Sequence, residues 1–171
     1  MEIITYVISG SLAHKDSMGN GSTIRAGGLQ RMTAGTGVEH SEFNPSDTEP
    51  VRLLQIWIHP ERKGLEPGYE ERADAMAGRT GEFVPLVTQD GRDGSLRLHQ
   101  DASILGATLE GGQSVTHTPA GDRQSWVQVV RGDVTINGIE AGEGDGVAAE
   151  AGVPLEISAE ASGEVLVFDL A

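Results

Sequence analysis

Apolar and polar residues alternate in short runs along this chain, and turn residues separate the runs. A period of two is the signature of β-strands, whose successive side chains point to opposite faces. Residues 2–8, EIITYVI, form the first apolar, β-branched strand. Ser9-Gly10 ends it, and residues 11–15 read as a short strand before the turn Ser17-Met18-Gly19-Asn20-Gly21. Residues 22–25 and 29–33 follow, joined by Ala26-Gly27-Gly28, and residues 38–42 make the next strand. Residues 51–58, VRLLQIWI, are the most apolar run and predict a strand buried on both faces or central in a sheet. The alternation fails over residues 59–82, which are charged, contain Pro60 and Pro67, and offer one helical candidate at residues 69–77. It resumes in strands at 83–87, 96–98, 102–109, 114–118, 126–130, 147–149, 154–157 and 165–170. Asn137-Gly138 is the strongest hairpin signal in the chain. The pattern predicts an all-β protein, a sandwich or barrel, with an N-terminal domain at 1–58, a linker at 59–82 and a C-terminal domain at 83–171.

Composition narrows this reading. The 24 glycines are about twice the average share, while prolines number only 7. With the alternation intact, that excess marks turns rather than disorder. A length of 171 residues fits one domain or two small ones. Cysteine is absent, which excludes disulfides and thiolate metal ligands and fits a cytoplasmic protein. Lysine and arginine number 12 against 26 acidic residues, a net charge of -14, and that field repels a phosphate backbone. Direct nucleic-acid binding is therefore not expected. No signal-peptide pattern and no long apolar run predict secretion or a membrane span.

The candidate chemistry lies in residues 27–44, GGLQRMTAGTGVEHSEFN. On a strand, His40 and Glu42 point the same way. An imidazole beside a carboxylate can bind a divalent metal or move protons. A lone His-x-Glu is commonly a surface pair. Here glycine turns precede it and Phe43-Asn44-Pro45 follows, so the strand is expected to be held at both ends and to face an interior. Of the other histidines, His14 is assigned to the surface arm of a hairpin and His59 to the linker. His99 is placed at a strand end and His117 between two threonines. Met32, Phe43 and Trp57 read first as core side chains and second as pocket walls.

The two halves also resemble one another. Residues 7–12, VISGSL, align with 129–134, VVRGDV, and residues 27–35 align with 144–152. Carrying that register forward places Ile157 where His40 stands and Ala159 where Glu42 stands. The second copy keeps the turns and loses both polar side chains, which favours a chemical role for the pair in the first.

The run TYVISGSLAHKDSMGNGSTIRAGGLQRMTAGTGVEHSEFNPS, followed by LLQIWIHPERKGLEPGYEER, resembles the pirin family of bicupins, in particular its bacterial quercetinase-like members. The resemblance is dense over residues 1–72. It continues more loosely through SWVQVVRGDVTING and the closing EVLVFDL. It implies two cupin barrels, each a double-stranded β-helix, with a metal in the N-terminal one. The implied metal is iron(II), with nickel, copper, zinc and manganese as alternatives, held by three histidines and one glutamate. The third histidine and the glutamate carry over to His40 and Glu42, with Glu42 also the implied catalytic base. The other two histidines belong to a His-Pro-His motif ahead of the strand that starts here at Met1-Glu2. The N-terminal barrel is therefore expected to be incomplete in this chain, two ligands short, with unpaired edges that favour dimerisation. The implied activity is quercetin 2,3-dioxygenase-like cleavage of a flavonol with O2 as co-substrate. The alternatives are a non-enzymatic pirin-like interaction or regulatory protein, or an inactive truncated form.

Overall fold

Two strands with both faces buried, β1 (Glu2–Ser9) and β4 (Leu29–Thr33), lie side by side at the centre of the first sheet of this computed structural model, which describes residues 1–171. Around them the chain forms β2 (Ser11–Asp16), β3 (Gly21–Arg25), β5 (His40–Phe43), β6 (Arg52–Ile58) and β7 (Gly68–Arg72). Then come β8 (Val84–Thr88), a single 3-10 turn at Arg92–Gly94, β9 (Leu96–Arg97), β10 (Ala102–Glu110) and β11 (Ser114–His117). The series closes with β12 (Gln124–Gly132), β13 (Val134–Ile136), β14 (Ile139–Ala141), β15 (Gly146–Ala149), β16 (Leu155–Ser158) and β17 (Ser162–Leu170). There is no α-helix, and so no helix long and apolar enough to cross a membrane.

The chain divides into two compact units. The first holds Met1–Ala77 with Gln89–Gly91 and Ser95–Gln100; the second holds Gly78–Thr88, Arg92–Gly94 and Asp101–Ala171. In the first unit one sheet has the order β6-β1-β4-β7 and another the order β3-β2-β5, all antiparallel. Val7, Leu12 and Ile24 pack together in its core, with Val51 and Leu53 against them. In the second unit the strands run β15-β12-β17-β10-β8 in one sheet and β11-β16-β13-β14 in the other. Their inward side chains, among them Val127, Val129, Val165, Val167, Ile136, Leu155 and Ile157, form a continuous apolar core. Each such side chain withdrawn from water contributes about 1.5–3 kcal/mol before entropy is counted.

The internal repeat is visible in the backbone. β1 breaks register between Val7 and Ser9, and β12 breaks it between Val129 and Arg131. Gly10 and Gly132 follow these bulges with φ of 73° and 69°. A Cβ at Gly10 would lie 2.5 Å from the Pro50 carbonyl oxygen, and one at Gly132 would lie 2.2 Å from that of Ser162. Neither position admits a side chain. The Gly27 amide bonds to the Val7 carbonyl just as the Gly144 amide bonds to that of Val129.

Strand pairing corrects the later part of the sequence alignment by two residues. The first hairpins match, with Leu12 opposite Ile24 and Val134 opposite Ala141. His14 then faces Glu42, whereas Ile136 faces Ile157. Ile157 therefore stands in the place of Glu42, not His40, and Leu155 takes the place of His40. His40 follows Gly35 by five residues, but Leu155 follows Gly152 by three, so an ungapped register slips in that loop. A slip of two keeps the same face. The contrast between copies survives, because Leu155 and Ile157 are both fully buried.

Three further expectations change. Residues 51–58 are not a central strand: β6 ends its sheet, and Trp57 is 63% exposed. Apolar content reports what a strand can bury and not whether a neighbour lies beside it. Phe43 is likewise 47% exposed, so neither aromatic is a core residue, while Met32 is. Residues 69–77 form no helix. β7 pairs there with β4, placing Tyr69 opposite Met32 and Glu71 opposite Gln30. In the second unit β16 lies between β11 and β13, and β17 between β12 and β10. In the first, β5 and β6 pair on one side only.

The bulge glycines yield a stability test. Gly132→Ala is expected to destabilise the protein by more than the about 1–3 kcal/mol of left-handed strain alone. Gly138→Ala, at φ of 82° but with nothing within 4 Å of the added Cβ, isolates that strain. Urea midpoints measure both, and equal losses would contradict the close approach at Ser162.

Candidate metal centre

β2 lies between β3 and β5, so its inward side chains face both neighbours' inward side chains. Leu12 and His14 share the inner face by the alternation of the strand. His14 stands directly opposite Glu42, and Asp16 opposite His40. The sequence reading put His14 on the surface. It is instead 1% exposed, because β2 is the middle strand of its sheet and not a free hairpin arm. His40 is exposed and Glu42 half-buried. One ligand atom from each of His14, His40 and Glu42 lies within 4.8 Å of the others. The other histidines lie elsewhere. His99 bonds through Nδ1 to the buried Glu2 at 3.0 Å, and His117 bonds to Asp169 at 2.9 Å. His59 is exposed beside β6.

A signal for His14 was present in the sequence. It follows Leu12 by two residues, and Leu12 aligns with Val134, so His14 aligns with Ile136 on the core face. A residue on that face is inward in either copy.

Glu42 is held at both oxygens. Thr5 Oγ1 donates to Oε1 at 3.5 Å, and the buried Gln30 amide also donates to Oε1. The Gln55 amide donates to Oε2 at 2.6 Å, and Gln55 Oε1 accepts from the Trp57 indole N–H at 3.1 Å. Thr5 stands opposite both Gln30 and Gln55 across the β1 pairings, which brings three neutral donors to one carboxylate. Together they fix the direction in which the carboxylate points.

His14 is held on two sides. Its ring stacks on Tyr69, with centroids 4.6 Å apart and planes 21° from parallel. Its Nε2 lies 3.3 Å from Asp16 Oδ2. Burial works against ionisation of Asp16, but hydrogen bonds from the Asn20 side chain and backbone, from His14 and from the Met18 amide outweigh it. They hold the carboxyl below its ordinary range. Tyr69 is shifted the other way, well above the usual phenol range, first by burial and then by its hydrogen bond to Glu71 and that residue's charge.

The donor set fits a divalent metal. His14 Nδ1 is buried and has no hydrogen-bond partner, with Glu42 Oε1 4.0 Å away. An orphaned buried polar atom costs about 1–3 kcal/mol, so its place beside two further ligands calls for a partner. Three ligands bound at about 2.1 Å stand about 3.0–3.6 Å from one another, so a contraction of about an ångström would close the cluster. Asp16 supplies the partner on the far ring nitrogen that commonly fixes a ligating imidazole.

Comparison with known proteins identifies the family. The Pirin family model matches residues 1–58, and that of the quercetinase C-terminal cupin domain matches residues 85–170. The quercetin 2,3-dioxygenase of Escherichia coli K12 is 47% identical over 171 residues, covering 99% of this chain and 72% of that protein. A putative quercetin 2,3-dioxygenase of Pseudomonas aeruginosa is 38% identical, covering 100% of this chain and 74% of the relative. The crystal structure of YhhW from E. coli superposes with a TM-score of 0.93 at 44% identity, over 99% of this chain and 71% of that one. The bacterial pirin YhhW in complex with nickel(II), also from E. coli, gives 0.92 at 45% identity over 99% and 72%. With both family models matched in order and these relatives covered across more than two thirds of their length, the chain belongs to the pirin family of bicupins.

Proposed function

We propose that the centre binds a divalent metal through His14, His40 and Glu42, and that the protein is a quercetin 2,3-dioxygenase-like enzyme acting on a flavonol with O2. The observation that carries this is the buried, orphaned His14 Nδ1 within ligand reach of a second histidine and a carboxylate. The sequence alone offered two ligands; the third comes from β2. Two histidines and one carboxylate with open positions suit non-haem iron(II), which makes iron the proposed metal. Relatives named quercetin 2,3-dioxygenase support the substrate class, and the nickel complex of YhhW supports a divalent ion. Bound iron would supply the one-electron chemistry that lets O2 react with an aromatic ring.

The chain's own residues do the rest. His14 and His40 present neutral imidazole nitrogens. Glu42 would ligate through one oxygen, and its carboxylate, aimed by Gln30, Thr5 and Gln55, accepts the proton of a flavonol hydroxyl. Trp57 shares its strand face with Gln55 and exposes a flat apolar ring on which an aromatic substrate can stack. The absence of cysteine fits a cytoplasmic setting. A second reading, an interaction protein, draws on the one-sided pairing of β5 and β6, whose edges can accept a partner strand. It requires no metal.

Elemental analysis after iron(II) loading, beside quercetin consumption under air, tests the proposal. About one metal per chain with turnover is expected. His14→Ala, His40→Ala and Glu42→Ala are each expected to lose both. A wild-type protein free of metal and inert to quercetin would overturn the enzyme reading and leave the interaction reading. Asp16→Ala, which frees the far nitrogen of His14, is expected to weaken metal binding by about 10–100-fold in a chelator competition. An unchanged affinity would show that Asp16 does not orient the ligand.

A further inference from the structure

The strand that the sequence hid, β7, brings a half-buried phenol against the centre. The Tyr69 ring stacks on His14 at 4.6 Å. Its hydroxyl lies 3.1 Å from Gln30 Oε1, 2.9 Å from Glu71 Oε2 and 2.6 Å from Ser22 Oγ. Gln30 in turn donates to Glu42 and, at 3.4 Å, to Thr5 Oγ1. One side chain therefore touches the first ligand directly and reaches the third through a single amide. We infer that Tyr69 is a positioning residue for the metal centre, its ring fixing the plane of His14 and its hydroxyl fixing the amide of Gln30 that aims Glu42. The inference rests on the reading that this centre holds a metal.

The chemistry of an amide makes the hydroxyl matter. Gln30 has an acceptor end and a donor end, and it is 1% exposed, so no bulk water competes for either. A donor on its oxygen holds the N–H₂ toward Glu42. Without that donor the amide can turn, and its oxygen then meets the carboxylate, where two acceptors repel. A phenol carries one proton, so Tyr69 donates to Gln30 or to Glu71 but not to both. Ser22 can donate to the phenolic oxygen and leave the Tyr69 proton free for that choice. A phenol keeps its proton at neutral pH, so the donor persists. Pairing sets the geometry: β7 places Tyr69 beside Met32 and Glu71 beside Gln30, on the sheet face that looks toward His14.

Two variants separate the ring from the hydroxyl. Tyr69→Phe keeps the stack and removes the donor, and Tyr69→Leu removes both. Cobalt(II) alone is the probe, since its visible absorption reports ligand geometry and chelator competition gives its affinity. Tyr69→Phe is expected to weaken cobalt binding by about 10–100-fold, as loss of a ligand's outer partner does, and to change the visible spectrum. In the metal-free protein the same variant is expected to move the NMR signals of the Gln30 side-chain amide while leaving those of the His14 ring in place. Tyr69→Leu is expected to move both. Wild-type affinity and spectrum in Tyr69→Phe, with an unmoved Gln30 amide, would overturn the inference and leave the metal reading standing. A wild-type protein that takes up no cobalt would overturn the metal reading, and the role of Tyr69 with it. Should Tyr69→Leu fail to fold, Tyr69→Phe alone decides.

Discussion

Across the ladder between β2 and β5, His14 faces Glu42 and Asp16 faces His40. Side chains alternate along a strand, so a slip of one residue in this ladder would send His14 to one face and Glu42 to the other. The rest of the first unit holds that register. Leu12, two residues before His14, packs with Val7 and Ile24 in the core and pins β2 from the same face. The Asp16 carboxylate accepts the Met18 and Asn20 amides and closes the turn after β2. The neighbouring sheet then delivers Thr5, Gln30 and Gln55 to a single carboxylate. The same register sets a buried imidazole nitrogen without a hydrogen-bond partner beside a second histidine and a carboxylate.

The two units show one backbone put to two uses. Both bend at a bulge followed by a glycine whose Cβ position is filled by a carbonyl oxygen. In the second unit Ile136, Leu155 and Ile157 fill the places of His14, His40 and Glu42 and belong to its apolar core. The first unit gives up that apolar burial for polar groups, which lowers the stability its interior can supply. Such an exchange is expected where chemistry, and not folding, has selected the residues.

Neutral donors around Glu42 matter for the same reason. Three hydrogen bonds from amides and a hydroxyl orient the carboxylate without adding a competing cation. An arginine or lysine in that position would pair with the carboxylate and repel any cation brought to it. Arg31, the buried cation of the same strand as Gln30, points the other way, toward Glu70 at 2.7 Å and Thr33 at 2.8 Å. Adjacent residues of β4 thus serve separate purposes on opposite faces.

The sequence by itself determined the all-β class, most strand positions, the Asn137-Gly138 hairpin and the common strand face of His40 and Glu42. These follow from local rules: alternation, turn chemistry and the positive φ that Asn137 and Gly138 both adopt. It also carried the family, through motifs in order. The tertiary structure alone decided which strands are neighbours. That choice buried His14, made Tyr69 part of a strand in place of a helix, left Trp57 of an apolar run at a sheet edge, and moved the counterpart of Glu42 to Ile157. Each depends on a pairing between segments far apart in the chain, and a hydrophobic pattern says which face of a strand is turned inward but not which strand lies beside it.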